Sequence, residues 1–351
     1  MNQLVRTLIV DDSAFARKLM KEMLSRSPYI DVVGAARDGV EALEMVLELK
    51  PDVVTCDLMM PRLDGAGFVR KQMERCPVPI LIVSGVDENA GLVLQALEAG
   101  AVDFVQKPTA LATDDLLRIR EELLAKVRAA AMAPLGRLGP AALSLEKKGT
   151  VHAKALSRVA VVVIGVSTGG PQALRALLPR FAADFPVPVA MVLHMPIGFT
   201  SLYAAKLDEL CELDVREAVE GDELRPGLCL LAPAGKHLSL RKQSLAGTTE
   251  PTVVTHLSRH PAESLHRPSV DVLFKSAAEV YGERVLAVVM TGMGSDGKEG
   301  AAWIKAQGGI VLTEAEASCV IYGMPRSVVE AGLSDAAVSL DGLAQAIIDR
   351  L

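Results

Sequence analysis

Val159-Ala-Val-Val-Val-Ile-Gly-Val-Ser-Thr-Gly-Gly-Pro171 is an aliphatic run that ends in a glycine-bounded turn. The run has the length and the β-branched content of a buried strand, and Pro171 suits the first turn of a following helix. A strand passing to a helix through so tight a turn predicts an α/β unit with the Ser167 hydroxyl presented at the turn. Gly165-Val166-Ser167-Thr168-Gly169 fits the pattern Gly-x-Ser-x-Gly, in which a serine nucleophile lies beside the first backbone N–H groups of the next helix.

Outward from this turn the chain divides. Its 351 residues, half of them apolar and only 3% aromatic, suffice for two domains with aliphatic cores. Basic and acidic residues number 14 and 20 in residues 1–125, 6 and 1 in 126–157, and 17 and 22 in 158–351. The middle stretch gathers Ala, Gly and Pro and loses helical spacing, so it reads as a linker (126–157) between domains at 1–125 and 158–351. Neither domain has the basic balance of a nucleic-acid binder. No apolar run approaches the roughly 18 residues of a membrane helix, and the first residues do not read as a signal peptide. A cytoplasmic protein without membrane insertion is expected, its five scattered cysteines reduced.

In the first domain, short aliphatic runs at Thr7–Val10, Asp31–Ala35, Asp52–Cys56, Ile80–Ser84 and Val102–Val105 alternate with segments of helical spacing. Five βα units predict a five-stranded parallel sheet of flavodoxin-like type, with its chemistry at the carboxyl ends of the strands. Asp11 and Asp12 follow the first run, Asp57 the third, Ser84 ends the fourth and Lys107 follows the fifth. Carboxylates converging on one sheet edge repel one another unless a hard cation joins them, and Mg²⁺ suits such a site. A carboxylate beside that metal can accept a phosphoryl group, whose charge Lys107 and the Ser84 hydroxyl can meet.

The second domain also reads as doubly wound α/β, with strands at Val159–Gly165, Val187–His194, Leu228–Ala232, Val285–Thr291 and Gly309–Thr313. Ser167, His194 and Asp296 follow three of them. A serine hydroxyl needs an imidazole to take its proton, and the imidazole needs a carboxylate to fix its tautomer. His194 is therefore the expected base and Asp296 its orienter. The glycine-rich turn Gly292–Gly297 can aim backbone N–H groups at a developing oxyanion, with Met293 the expected donor.

Other readings are weaker. Gly165 and Gly170 have the spacing of a phosphate loop, but Pro171 and Gln172 stand where Lys and a hydroxyl residue are needed. His256, His260 and His266 lie near Glu263, yet Leu257 breaks any H-E-x-x-H motif, so these histidines are expected to border the active site rather than bind metal. A phosphorylation-controlled transcription module lacks a basic output domain. An esterase for small molecules is compatible with the triad alone.

Residues 4 to 125, with DDS at 11–13, DLMMPRLDG at 57–65, VSG at 83–85 and FVQKP at 104–108, resemble the receiver domain of two-component response regulators. The resemblance implies that Asp57 is the phosphoacceptor, that Asp11, Asp12 and Asp57 serve the metal, and that Ser84 and Phe104 form a switch pair with Lys107 nearby. IGVSTGGP at 164–171, HMP at 194–196, PAGKHL at 233–238, RPSVDVLF at 267–274 and TGMGSDG at 291–297 resemble the chemotaxis protein-glutamate methylesterases, the CheB family. That resemblance implies hydrolysis of glutamate γ-methyl esters on methyl-accepting chemotaxis receptors, deamidation of receptor glutamines, a chemotaxis-type histidine kinase as phosphodonor, and no cofactor for the ester chemistry. The linker is long enough for the receiver to act as an inhibitory lid that phosphorylation releases.

Overall fold

The computed structural model describes residues 4–85, 90–107, 113–134, 158–244 and 251–351. The chain forms two compact units, residues 1–144 and 145–351. Residues 135–157 of the expected linker lie outside the described residues.

The first unit runs β1 (Val5–Val10), α1 (Ala14–Leu24), β2 (Ile30–Ala36), α2 (Gly39–Leu49), β3 (Val53–Cys56), α3 (Gly65–Arg75), β4 (Ile80–Ser84), α4 (Ala90–Glu98), β5 (Asp103–Gln106) and α5 (Thr113–Ala131). Its five strands are parallel in the order β2-β1-β3-β4-β5. The order reverses between β1 and β3, so the loops after these two strands open a crevice at the carboxyl edge. Asp11 and Asp57 occupy those loops. Helix starts are written locally: Ser13, Asp38 and Asp64 accept backbone N–H bonds at the N-termini of α1, α2 and α3. Helix α5 extends six residues past the boundary expected at 125, because Val127 and Ala130 continue its buried face.

The second unit runs β6 (Val161–Val166), α6 (Gly170–Leu177), β7 (Val189–Leu193), α7 (Thr200–Asp208), β8 (Asp214–Glu217), β9 (Leu228–Leu231), β10 (His237–Gln243), β11 (Thr252–Ser258), α8 (Val270–Tyr281), β12 (Val285–Val289), α9 (Lys298–Ala306), β13 (Ile310–Glu314), α10 (Met324–Glu330), β14 (Ala336–Val338) and α11 (Leu340–Ile348). Seven parallel strands are ordered β14-β13-β12-β6-β7-β9-β8, and β10 and β11 form a separate antiparallel pair. All residues of β6, β7, β9 and β12 are buried, as expected when helices cover both faces of a parallel sheet. Helix α8 packs Val270, Leu273, Phe274 and Ala277 into the core shared with β6 and β12.

From β6 the chain builds outward through β7 to β8 and β9, then returns to add β12, β13 and β14 on the other side. Central strand β6 is thus flanked by β7 and β12, and the loops after all three meet at one edge. The strands β8 and β14 and the β10–β11 pair are additions to the five strands read from the sequence. Edge strand β8 (DVRE) carries three charged residues in four, which hides the aliphatic signal of a central strand.

Candidate functional site

Ser167 follows β6 directly. Its backbone N–H donates to the Thr291 carbonyl at 3.0 Å, and its carbonyl accepts from Gly170 N–H. The turn therefore rests against the loop after β12. Gly292 allows that approach, since a Cβ there would fall 2.4 Å from Met324 Sδ and 2.8 Å from Ser167 Cβ. Ser167 itself is half-buried, at the start of the turn into α6.

His194 follows β7, and its backbone N–H donates to the Val166 carbonyl, the residue before Ser167, at 3.2 Å. Adjacent strand ends thus place the serine and the histidine side by side. The ring donates from Nε2 to Asp296 Oδ2 at 2.9 Å. Nδ1 is buried and has no hydrogen-bond partner among the described residues, Ser167 included. Serine–base hydrogen bonds are often loose before substrate binds.

Asp296 is buried, and four donors converge on it. Ser269 Oγ and the Asp271 N–H meet Oδ1 at 2.9 and 3.0 Å, while the Val270 N–H meets Oδ2 at 2.8 Å beside His194. Burial works to raise its pKa, but the His194 hydrogen bond and charge, with the two backbone donors, outweigh burial and hold this carboxyl well below the usual range. Asp296 is therefore an ionised acceptor at the first turn of α8, where the helix dipole also favours negative charge.

The loop carrying Asp296 is pinned by Gly292, whose N–H donates to Ile321 and whose carbonyl accepts from Gly323 and Met324. The half-buried Met293 follows it, and its N–H takes no part in these fastening bonds.

Three further residues neighbour the site: His266, expected from the sequence at its border, Asp271, and Ser269, which was not singled out from the sequence. His266 stacks on His194 with ring centroids 4.1 Å apart and planes 14° apart. Ser269 and Asp271 flank the start of α8 within the RPSVDVLF motif; Asp271 is the sequence's next candidate after Asp296 for the orienting carboxylate, whereas Ser269 had no signal beyond that motif. Burial, then the charge of Asp296, pushes the Asp271 carboxyl up to about 7, against backbone hydrogen bonds from Gly300 and Gly297. His256 pairs with Glu220 at 3.2 Å. Among the described residues, His256, His260 and Glu263 form no metal-ligand group.

In the first unit, Asp11, Asp12 and Asp57 each offer a carboxylate oxygen, all within 4.8 Å of one another. Lys107 Nζ bridges Asp11 at 2.6 Å and Asp57 at 3.0 Å. Burial raises the Asp57 carboxyl above its usual value, with Lys107 opposing and Asp11 adding to the rise. Such carboxylates gain from any cation, and hard oxygen donors fit Mg²⁺. Ser84 ends β4 with a buried hydroxyl that has no hydrogen-bond partner among the described residues. Phe104 pairs with Ile82 and Gln106 with Ser84, so Ser84 and Phe104 lie on one face of the sheet, two residues apart in register. Cys56 is fully buried, and burial, then the charges of Asp57 and Asp11, raises its thiol well above the usual value, which makes it inert.

Among the described residues, no helix is long and apolar enough to cross a membrane. The CheB methylesterase family matches residues 162–347, and the response regulator receiver domain family matches 7–119. The chain is 48% identical over 340 residues to protein-glutamate methylesterase/protein-glutamine glutaminase 5 of Myxococcus xanthus, spanning 97% of this chain and 96% of that one. It is 43% identical over 358 residues to protein-glutamate methylesterase/protein-glutamine glutaminase 2 of Methanosarcina mazei, spanning 99% and 96%. A crystal structure of the Thermotoga maritima CheB methylesterase catalytic domain superposes with a TM-score of 0.52 at 39% identity, covering 55% of this chain and 99% of that one. Two α/β units, the first with acids at its strand ends and the second with serine, histidine and aspartate, agree with these matches: the chain belongs to the CheB methylesterase family and carries a response regulator receiver domain ahead of its methylesterase domain.

Proposed function

We propose that this chain hydrolyses glutamate γ-methyl esters on methyl-accepting chemotaxis receptors, deamidates receptor glutamines at the same site, and is activated by phosphorylation of Asp57. The observation that supports the reading is that Ser167, His194 and Asp296 lie in the loops after three adjacent strands, with His194 hydrogen-bonded to an ionised Asp296.

Ser167 Oγ attacks the γ-carbonyl carbon while its proton passes to His194 Nδ1, the nitrogen that Asp296 leaves available. The carbonyl oxygen becomes an oxyanion, which the Met293 N–H stabilises. The imidazolium returns its proton to the departing methoxide, and methanol leaves. Water, deprotonated by His194, then attacks the seryl ester and releases glutamate and Ser167. A glutamine side chain follows the same route with ammonia as the leaving group. Asp296 accepts the Nε2–H throughout and stabilises the imidazolium.

In the receiver, an Asp57 oxygen takes the phosphoryl group of a phosphohistidine on a chemotaxis-type kinase as the P–N bond breaks. Asp11, Asp12 and Asp57 would hold Mg²⁺, which when bound supplies positive charge to the phosphoryl oxygens. Lys107 and Ser84 are the groups that meet the new charge, and Phe104 is the apolar residue on the same face that repacks. The two chemistries belong to separate domains, the first continuing through Ala131 and the second beginning near residue 158, in a cytoplasmic protein whose receptor and kinase partners are themselves reached from the cytoplasm. Methanol release from a methylated receptor, measured with and without a phosphodonor, tests the whole reading: no release in either condition overturns it.

A further inference from the structure

We propose that Asp271 is a positioning residue for the ester chemistry: its carboxylate clamps the loop that carries Asp296 and Met293 onto the first turn of α8. The inference deepens the proposed function and rests on the assignment of Ser167, His194 and Asp296.

Asp296 and Asp271 cap each other's helices. Asp296 accepts from the N–H groups of Val270 and Asp271, at the start of α8. Asp271, the second residue of α8, accepts on Oδ1 from Gly297 N–H at 2.9 Å and Gly300 N–H at 2.7 Å, at the start of α9. The residue directly after Asp296 is thus tied to α8 by one carboxylate while Asp296 is tied to it by the other. Helix α9 lies hard against α8 here, since a Cβ on Gly300 would fall 2.5 Å from Phe274 Cβ and 3.0 Å from Asp271 Cα.

This arrangement sets two carboxylates near each other in a largely buried place, which electrostatics disfavours. A single cap would stabilise either helix about as well without the like-charge contact. What the pair adds is geometric: the loop from Gly292 to Gly297 is held at one end by the bonds to Ile321, Gly323 and Met324, and at the other by Asp271. Between those anchors lie the Met293 N–H and the carboxylate that orients His194. A displacement of even 1 Å in such a constellation typically costs about 100-fold in rate.

The test uses the full chain, a methylated receptor and a phosphodonor, with kcat and KM measured separately and folding checked by thermal denaturation. Asp271→Ala, which removes the acceptor, is expected to lower kcat about 10- to 100-fold with KM within about twofold. Asp271→Asn keeps an oxygen that can accept both N–H bonds, and is expected to stay within about threefold of the parent in kcat. Asp271→Glu keeps the charge but moves the oxygen by roughly 1.5 Å, one C–C bond, and is expected to lose kcat like Ala. Should Asp271→Ala fail to fold, the Asn and Glu variants decide. Parent-like kcat for Asp271→Ala or Asp271→Glu, or equal losses in Asn and Ala, overturns the proposal. Failure of the underlying assignment looks different, because Ser167→Ala would then retain activity in the same assay.

Discussion

His194 turns Nε2, not Nδ1, toward Asp296, at 2.9 Å, and keeps Nδ1 as a buried nitrogen without a hydrogen-bond partner among the described residues. In the familiar Ser-His-Asp template the carboxylate holds Nδ1 and the serine faces Nε2. Here Nε2 faces the carboxylate, and in the proposed reaction Nδ1 takes the part of the base. Ionised Asp296 selects the tautomer with hydrogen on Nε2, which leaves the Nδ1 lone pair for the Ser167 proton. In ¹⁵N spectra of the resting protein, the neutral ring of His194 should therefore appear as the Nε2–H tautomer. An Nδ1–H signal would contradict this assignment of base.

Ser167→Ala is expected to abolish methanol release while leaving Asp57 phosphorylation intact, because the two groups belong to separate units. His194→Gln should lower kcat far more than it changes KM, since it removes proton transfer rather than binding. Comparable turnover by parent and either variant would refute the assigned role.

Asp296→Asn is expected to cost about 10- to 100-fold less than Ser167→Ala, because an orienting group is partly replaceable. It will still be damaging. Both oxygens of Asp296 accept from donors, so an amide must turn its NH₂ toward an N–H or O–H group. Steady-state rates of the two variants side by side decide the order.

His266→Ala removes the ring stacked on His194 and is expected to lower kcat about 2- to 10-fold, the equivalent of a stacking contribution of about 0.5–1.5 kcal/mol. His266→Phe retains a flat ring and should recover most of that loss. Equal rates for the parent and His266→Ala would show that the stack does not position the base.

The Asp271 carboxyl, pushed up from 3.8 to about 7 by burial and then by Asp296, makes stability depend on pH. Between those values the folded state binds a proton that the unfolded chain has released. Its contribution is complete below about pH 4 and is lost as pH rises through about 7. Asp271→Asn cannot lose that proton, so its melting temperature should rise relative to the parent between pH 5 and pH 8. A constant difference across that range would show that Asp271 does not titrate there.

Asp57→Ala should hold methanol release at its unphosphorylated level whatever phosphodonor is added. Removing divalent cations with a chelator should do the same, by blocking phosphorylation at the acidic cluster. A coupling of about 1 to 3 kcal/mol between the units corresponds to roughly 5- to 150-fold activation. If inhibition by the receiver is the device, a chain beginning near Ala155 should outpace the unphosphorylated whole protein. A truncated, folded chain no faster than the intact one would leave stimulation or receptor docking as the receiver's role.

Local pattern was enough for much of this. Aliphatic runs, helical spacing and glycine turns are properties of contiguous residues, so the alternating α/β units, the Ser167 turn and the acids at successive strand ends could all be read from the chain. Edge strand β8, with three charged residues in four, lacks that pattern, and the buried continuation of α5 to Ala131 shows only when a surface exists to bury it against. The sheet order alone decided which strand ends meet. Placing β12 beside β6 brings Asp296 to His194 across 102 residues of sequence, and no local signal encodes that contact. The choice of Nε2, the stack with His266 and the mutual capping by Asp271 and Asp296 likewise belong to the packed molecule, because hydrogen-bond direction and ring contact depend on distances that only the folded core defines.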